Sequence, residues 1–357
     1  MPLYMDIHTV DSDEFTVEEI TKAHMKDLEV QERFGVIQRK YWVNESQKTV
    51  FCLMEGPSKE ACHNTHKTAH GGTACNIIEV NDDEYNIFMA LGSTQKKDLA
   101  FRIDGSLDSG YRTILLINTS DFSGNYQHYI KEVQNLIKKF HGEIVRQPSD
   151  ETMASFLLAS DAIIAAMAIA DLLKSVPDNF EYRLALVSGS PVDEYGTDLF
   201  EETKKRVRTL CQIGLSQVVY LDANTKALSR KESNLPKINH AHVKIIDAHD
   251  FLFCERLLEI LEAVSNNPNF RSEELGKRLG LSKAQTYRKV KELTGMSPNI
   301  LVRELRLRKS LKALRKNNKT VAEIAFDLGF NSPTYFTRVF RKRYEVLPTS
   351  FARLNVS

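Results

Sequence analysis

A short pattern occurs twice near the C-terminal end of this 357-residue chain, and it limits what that region can fold into. Each copy, residues 272–290 and 320–340, is an amphipathic helical segment, a turn with glycine, a polar capping residue and a second helical segment. In the first copy Leu275 and Leu279 lie on one helical face, and Gly280 suits the left-handed residue that ends a helix. Helix, glycine turn, helix is the order of a helix-turn-helix unit.

The second copy carries the same signals in a fuller form. Val321, Ile324 and Leu328 share one helical face, and Gly329 follows them at the turn. Pro333 suits the first position of the next helix, where its missing N–H has no helical partner to lose. The second helix of such a unit enters the major groove of DNA. The pair therefore predicts an all-α tandem helix-turn-helix domain whose partner is double-stranded DNA of specific sequence.

The net charge of +1 hides an uneven distribution along the chain. Residues 1–110 hold 11 basic and 19 acidic residues, residues 111–249 hold 16 and 17, and residues 250–357 hold 21 and 11. A basic module beside an acidic body is the electrostatic pattern of a DNA-binding protein. The basic residues between the two copies, from Arg303 to Arg315, could alternatively form a solvated helix face, but the flanking units favour contact with phosphate.

A family signature begins within the second copy. It consists of the run AEIAFDLGF at 322–330, followed by Ser332, Tyr335, Phe336, Phe340 and Pro348. With these residues, the segment 251–357 resembles the DNA-binding domain of the AraC/XylS family of bacterial regulators. The resemblance implies two helix-turn-helix subdomains whose recognition helices enter successive major-groove segments on one face of the duplex.

The resemblance also implies roles for residues of the two recognition helices. Those expected to contact base edges are Ala284, Tyr287, Arg288, Pro333, Thr334, Thr337 and Arg338. Later basic residues of such helices usually meet phosphate. The phosphate contacts expected here are Lys283, Lys289, Arg341 and Lys342. DNA binding of this kind requires no cofactor.

The first 80 residues alternate strand-like and helix-like segments in the order βαββαβ. Residues 3–10 alternate as a strand, and Thr16 with Glu19 forms a capping box at the start of the first helix. Two strand-like segments, 38–43 and 49–54, flank a polar turn. A second helix and a last strand complete the unit. This order predicts a ferredoxin-like α/β sandwich.

Five of the ten histidines fall in this N-terminal segment. His63, His66 and His70 are spaced three and four residues apart, which places them on one face of the second helix. Two histidines at such spacing can clamp a metal ion, and Cys52 and Tyr41 on strands could supply further ligands. The alternative is that they are exposed polar positions of an amphipathic helix.

Short motifs of the same segment help to decide between a metal site and exposed polar positions. They lie at 1–8, 23–24, 41–43, 50–55 and 66–71. They resemble a family of small ferredoxin-like proteins, some of which are described as nickel-binding and dimeric. The resemblance implies His66 as a metal ligand. The further candidates are His8, His24, His70, Tyr41 and Cys52. Imidazole with or without thiolate suits nickel, zinc or copper.

The middle of the chain repeats the α/β pattern. Residues 81–110 are polar and predict a surface connector, and residues 233–250 predict a linker. Between them, residues 111–232 alternate predicted strands and helices. This region contains three characteristic short motifs, at 141–143, 183–189 and 195–199. They resemble the class III nucleotide cyclase homology domain.

The departures from that family concern its chemistry, which needs two carboxylates to hold two divalent cations. Asp150 can occupy one such position, but Asn118 stands in the place of the other, and Asp121 comes three residues late. The family's later Asn and Arg are replaced by Phe200 and Lys204. These changes should abolish catalysis, so a degenerate domain and a non-enzyme are expected. The alternative is a nucleotide cyclase fused to a DNA-binding domain.

The remaining sequence features concern location. The most apolar stretch, 154–173, is broken by Asp161 and Asp171 and is too polar to span a membrane, and the start lacks a signal sequence. The five cysteines show no CxxC spacing and suit a cytoplasmic protein. The expected fold class is an α+β N-terminal part of two ferredoxin-like or cyclase-like sandwiches, followed by the all-α domain. A homodimer responding to a small-molecule or metal effector is expected.

Overall fold

A computed structural model of the protein describes residues 1–11, 15–90, 92–94, 98–122, 127–145, 151–176, 180–232 and 242–354. The strands lie in the N-terminal and middle parts of the chain, and the C-terminal part is all-helical. This is the expected fold class. None of the described helices is long and apolar enough to cross a membrane.

The N-terminal part is a four-stranded antiparallel sheet with two helices on one face. Its elements are β1 Leu3–Thr9, α1 Val17–Val30, β2 Ile37–Asn44, β3 Thr49–Glu55, α2 Lys59–His70 and β4 Asn76–Val80. The spatial order β2-β3-β1-β4 is that of a ferredoxin-like sandwich. Hydroxyl caps start both helices, since Thr16 accepts from the backbone N–H of Glu19 and Ser58 accepts from that of Ala61.

Both faces of this sheet are buried. On β3, Cys52 and Met54 pack with the helix-side core, whereas Phe51 and Leu53 join the core shared with the middle domain. Alternate residues of a strand point to opposite faces, so one strand takes part in two cores. The outer face of the N-terminal sheet is therefore covered within the same chain.

The segment 81–110, expected to be a surface connector, is largely folded into the protein. It contains α3 Asp82–Phe88 and the short strands β5 Ser93–Thr94 and β6 Ala100–Phe101. Phe88, Met89 and Ala100 are fully buried. The polar composition of the segment favoured a surface connector, although its few apolar residues pack beside the two sheets.

The middle domain is a six-stranded sheet in the order β12-β11-β10-β7-β9-β8. Its elements are β7 Arg112–Asp121, α4 Gln127–Lys139, β8 Gly142–Val145, β9 Glu151–Phe156, α5 Ala159–Lys174, β10 Phe180–Gly189, α6 Glu201–Ile213, β11 Val219–Asp222, α7 Ala223–Lys231 and β12 Val243–Ile246. Strands β10-β7-β9-β8 repeat the ferredoxin-like order, and β11 and β12 extend it in parallel. The chain thus contains two ferredoxin-like sheets.

The expected linker, 233–250, is only partly described, and the described part is ordered structure. Residues 243–246 form β12, which pairs with β11, and α8 begins at Ala248. The Asp247 side chain caps α8 by accepting from the backbone N–H of Asp250. This strand was not predicted because it contains only four residues and is flanked by polar residues and histidines.

The C-terminal part consists of α8 Ala248–Val264, α9 Ser272–Leu279, α10 Lys283–Thr294, α11 Pro298–Lys316, α12 Val321–Asp327, α13 Pro333–Tyr344 and α14 Pro348–Leu354. It has two cores. Leu275, Val290 and Leu301 pack in the first, and Ile324, Phe336 and Phe340 pack in the second. The long α11 contributes to both, so it fixes the two helix-turn-helix units relative to each other.

Candidate DNA-binding surface and metal centre

The first helix-turn-helix unit comprises α9 and α10. Gly280 ends α9 with φ 69°, a left-handed conformation that suits glycine. Ser282 and Gln285 then form a capping box at the start of α10, in which the backbone N–H of Gln285 donates to the Ser282 hydroxyl over 3.3 Å. The turn chemistry expected from the sequence is therefore present.

The residues expected to meet DNA on α10 divide into two groups. Lys283, Ala284, Tyr287 and Arg288 are all exposed on one side of the domain. Lys289 is instead half-buried and forms an ion pair with Asp250 at the start of α8. A phosphate contact by Lys289 would have to replace that carboxylate.

The second unit comprises α12 and α13 and has the more complete geometry. Thr320 and Glu323 form a capping box on α12, and Ser332 caps α13, with Pro333 at its first position. Gly329 has φ 75°, and a Cβ there would lie 2.8 Å from the carbonyl oxygen of Ser265. Glycine is therefore required both by the backbone conformation and by the space.

An open groove of about 730 Å³ runs along α13, and we call it the α13 groove. Its lining consists of Pro333, Thr334, Thr337, Arg338, Arg341, Lys342 and Leu347. All the base contacts expected in the second unit, and both of its expected phosphate contacts, lie in this one groove. The guanidinium of Arg338 stands 5.2 Å over the ring of Tyr335, which is itself 40% exposed and extends the surface.

Three residues of the basic face expected on α11 donate hydrogen bonds within the protein. Arg306 donates to the carbonyl oxygens of Ser265 and Asn267, both at 2.8 Å. Arg308 donates to backbone carbonyl oxygens at the end of α6, and the Lys309 ammonium donates to the Ser265 hydroxyl. These three residues are engaged within the protein, because α11 lies between the rest of its own domain and the middle domain. Phosphate contact by the basic face of α11 stays a prediction.

The N-terminal domain contains a chain of alternating imidazoles and carboxylates, which we call the histidine cluster. His66 Nε2 lies 3.0 Å from a carboxylate oxygen of Asp6, and its Nδ1 lies 3.0 Å from one of Asp27. His8 Nε2 lies 3.1 Å from Asp6, and His70 Nε2 lies 3.4 Å from Asp27. The side chains of the histidine cluster therefore alternate in the order His8, Asp6, His66, Asp27 and His70.

The charges of the histidine cluster support one another. Burial alone raises the pKa of Asp6, but His8 and His66 outweigh it and hold that pKa well below its ordinary value. Burial alone lowers the pKa of His66, but Asp6 and then Asp27 raise it to about 10. Asp27 has a lowered pKa because its bonds to His66 and His70 outweigh burial. Opposite charges in close contact keep one another ionised.

His24 and Tyr41 stand on another wall of the same cavity, which has a volume of about 570 Å³. Their rings stack with centroids 4.3 Å apart, and His24 Nε2 lies 3.3 Å from an Asp98 carboxylate oxygen. His24 Nδ1 is buried without a hydrogen-bond partner among the described residues. The Tyr41 hydroxyl bonds with Thr21. All the candidate ligands expected from the sequence therefore surround one cavity.

The ligand atoms can be grouped by distance. Those of Asp6, His8, Cys52 and His66 lie within 4.8 Å of one another, and so do those of Asp27, His66 and His70. Nitrogen, sulfur and carboxylate oxygen together suit nickel or zinc. His66 Nε2 faces the Asp6 carboxylate at 3.0 Å, and a metal ion bound between them would replace the proton on that nitrogen. The residues therefore fit such an ion.

The structure changes the expected ligand set in two ways. The expected ligand His24 lines the cavity but lies outside both groups, as does the half-buried His63 of α2. Asp6 and Asp27 are central to the two groups, and neither was predicted from the sequence. Asp6 could have been recognised, because it is a charged residue between the apolar residues Met5 and Ile7 of a strand. It lies two residues from His8, so the two side chains share one face of that strand. Asp27 likewise follows His24 by one helical turn.

The cyclase-like positions of the middle domain hold other contacts. Asn118 accepts from Arg183 at 3.4 Å and lies opposite Glu151 in the sheet. The Phe200 ring is buried with its centroid 5.2 Å from that of Phe88. Lys204 pairs with Glu84 of α3 at 3.1 Å. Asp150 lies outside the described residues. The described positions therefore hold contacts within the middle domain and with α3.

Two family models match parts of the chain. Residues 275–354 match the one described as helix-turn-helix domain, and residues 4–80 match the one described as nickel responsive protein SCO4226-like. The C-terminal module is therefore a helix-turn-helix domain of the AraC type, and the N-terminal module is similar to the SCO4226-like family. Both resemblances expected from the sequence are confirmed.

Curated relatives are similar over parts of the chain. The histidine kinase P4 of Formosa agariphila is 23% identical over 244 residues, covering 63% of this chain and 17% of its own length. The HTH-type transcriptional regulator MtrA of Neisseria gonorrhoeae is 30% identical over 101 residues, covering 28% of this chain and 34% of its own. The chain thus spans about a third or less of either relative.

Among solved structures, an example that is similar to the N-terminal module is a protein from Streptomyces. SCO4226 from Streptomyces coelicolor A3(2) is 35% identical, covers 22% of this chain and 94% of its own, and has a TM-score of 0.21.

Proposed function

We propose that this protein is a transcription regulator of the AraC type that recognises a specific double-stranded DNA sequence through α10 and α13. The α13 groove carries this proposal, because it gathers the expected base and phosphate contacts of the second unit on one open surface. The exposed side chains of α10 provide the second contact. Residues at the start of a recognition helix meet base edges, and later basic residues meet phosphate.

The first experiment is a selection from a random duplex library with the full-length protein, followed by sequencing. Recognition helices of paired units enter the major groove about 10 base pairs apart. We therefore expect enrichment of a bipartite motif whose two parts are separated by about one helical turn. An unenriched pool at a salt concentration that still permits binding would overturn sequence recognition and leave only electrostatic attachment.

We further propose that the histidine cluster binds one nickel or zinc ion and that this ion is an effector. His66, Asp6, His8 and Cys52 would hold it, and the second group around Asp27 would orient His66. The ion would supply a charge that ties β1 and β3 to α2. An effector acts by binding one conformational state more tightly than another, and DNA binding itself would not require it.

The homodimer expected from the sequence is also a proposal. The outer face of the N-terminal sheet is covered by the middle domain, since Phe51 and Leu53 are buried in their shared core. A homodimer must therefore use another surface. Light scattering of the full-length protein at several concentrations tests the mass, and a monomer throughout would remove the homodimer.

A further inference from the structure

A cavity of about 250 Å³ lies between the middle domain and the DNA-binding domain, and we call it the inter-domain cavity. Basic side chains from both domains dominate its lining: Arg183, Arg208, Arg308, Lys309, Lys312 and Arg315. The lining carboxylates are Glu151 and Glu262. A cavity with this excess of positive charge favours an anion.

Arg183 on β10 is the most deeply buried of these cations. It is 8% exposed and donates to the Asn118 side-chain oxygen over 3.4 Å. Its Nε has no hydrogen-bond partner among the described residues. A buried cationic donor without an acceptor is costly, so an acceptor supplied by a ligand would stabilise it.

Arg308 brings a second guanidinium into the same wall from α11. It pairs with Glu304 at 3.2 Å and donates to the carbonyl oxygens of Gln212 and Gly214 at the end of α6. Burial, and next the charge of Arg183, lower the pKa of Arg308 to about 10. Repulsion between these cations opposes the contact between the two domains, and an anion between them would reverse that effect.

The cavity is poorly suited to a divalent cation. Asn118 lies opposite Glu151 in the sheet, so the wall offers a neutral amide where a pair of carboxylates would be needed. Glu151 is also engaged, at 3.8 Å from Lys312 and 4.0 Å from Arg208. An anion in this cavity would therefore contact the basic side chains directly, without a bridging divalent cation.

We propose that the inter-domain cavity binds a small phosphorylated anion, held by basic side chains of both domains without a divalent cation. Arginine and lysine are the side chains that bind phosphate oxygens. The volume of about 250 Å³ suits a ligand of the size of pyrophosphate or a nucleoside monophosphate. Because each domain supplies part of the wall, the site is complete only when the domains are in contact.

The consequence for DNA binding rests on the proposed function, whereas the binding of the anion does not. A ligand that binds only the docked arrangement shifts the population toward it. In that arrangement both recognition helices are held on one body. The anion would thereby couple to DNA affinity, and DNA would couple equally to anion affinity.

The test is calorimetric titration of the full-length protein with pyrophosphate and, separately, with AMP, in EDTA and at constant ionic strength. We expect saturable binding of at least one of them. Lys312→Gln on α11 and Arg208→Gln on α6 should each weaken it at least about tenfold, because each removes a charge-assisted contact. Both residues lie near the cavity rim, so their variants are expected to fold.

One matched variant serves as the control. Lys316→Gln removes a charge from the same α11 outside the cavity. It should bind the anion as the wild type does. Failure of both probes to saturate, or an equal loss in Lys316→Gln, would overturn the proposal. Anion binding by a protein that enriches no DNA sequence would instead overturn the proposed function alone.

Discussion

The Phe122 ring, at the end of β7, stacks on the ring of Tyr344, the last residue of α13, with centroids 4.7 Å apart and an interplanar angle of 22°. Phe122 also packs against Phe351 of α14 at 5.5 Å and is 4% exposed. A residue of the middle domain is therefore part of the core of the second helix-turn-helix unit. Near it, Arg343 of α13 pairs with Glu181 of β10 and with Glu304.

This contact predicts that Phe122→Ala destabilises the DNA-binding domain from outside it. Loss of a buried phenyl ring costs about 3 kcal/mol of the free energy of unfolding. Urea unfolding followed by circular dichroism measures it. The control is Phe326→Ala, which removes a ring that is 56% exposed and should cost less than about 0.5 kcal/mol. Equal losses for the two variants would contradict the role of Phe122.

Within the α13 groove, Arg338 and Arg341 should have different effects on DNA binding. Arg338→Ala should cost about 1–3 kcal/mol on the selected sequence and relax the preference at one position, because it removes a base contact. Arg341→Ala should weaken binding to every sequence alike, because it removes a phosphate contact. Fluorescence anisotropy on selected and scrambled duplexes measures both. Equal losses on scrambled DNA for both variants would refute this division.

The histidine cluster predicts the metal content of the protein. Elemental mass spectrometry of untagged protein should find about one nickel or zinc per chain, since its donors fit a single ion. His66→Ala should lose it, because His66 belongs to both ligand groups. His63→Ala changes the same helix outside these groups and should keep the metal. Wild-type protein without metal would leave this domain as a small-molecule or dimerisation module.

Asp108 and Arg112 form a buried ion pair that connects the N-terminal and middle domains. Arg112 donates to both Asp108 carboxylate oxygens, at 2.9 and 3.0 Å, and the Trp42 indole N–H donates to one of them at 3.0 Å. Asp108→Asn should cost about 3 kcal/mol or more at pH 7, because it leaves Arg112 buried without its counter-charge. Denaturant unfolding of both proteins measures the difference.

The same pair predicts a dependence on pH. Burial alone raises the pKa of Asp108, but Arg112 outweighs it and lowers that pKa below the ordinary value of 3.8. The unfolded chain therefore takes up the proton first as pH falls, so this stabilisation is present above pH 4 and is lost below it. The difference between wild type and Asp108→Asn should shrink at pH 3. A constant difference would contradict the lowered pKa.

The middle domain should not form cyclic nucleotides. Asn118 offers no metal-binding carboxylate, Phe200 is buried against Phe88, and Lys204 pairs with Glu84. Incubation of purified protein with ATP or GTP and Mn²⁺, followed by chromatography, should yield no cyclic product. A product that disappears in Asp150→Ala would favour the cyclase alternative.

The sequence predicted whatever depends on residues close together in the chain. The Ser282 cap, the glycine turns at Gly280 and Gly329, and the helix periods are local, so both helix-turn-helix units could be predicted from them. The βαββαβ order is equally local, and it indicated the ferredoxin-like sheets. The histidines were found because their spacing on α2 is visible in the chain.

The tertiary structure alone decided which distant residues meet. Asp6 and Asp27 enter the histidine cluster from β1 and α1, and a carboxylate on a strand carries no sign of the helix that packs over it. Local spacing indicated that Arg308 belongs to a basic helix face, whereas the fold buries it against the end of α6. Such contacts depend on how separate elements pack, and packing is set by the summed burial of the whole chain rather than by any one segment.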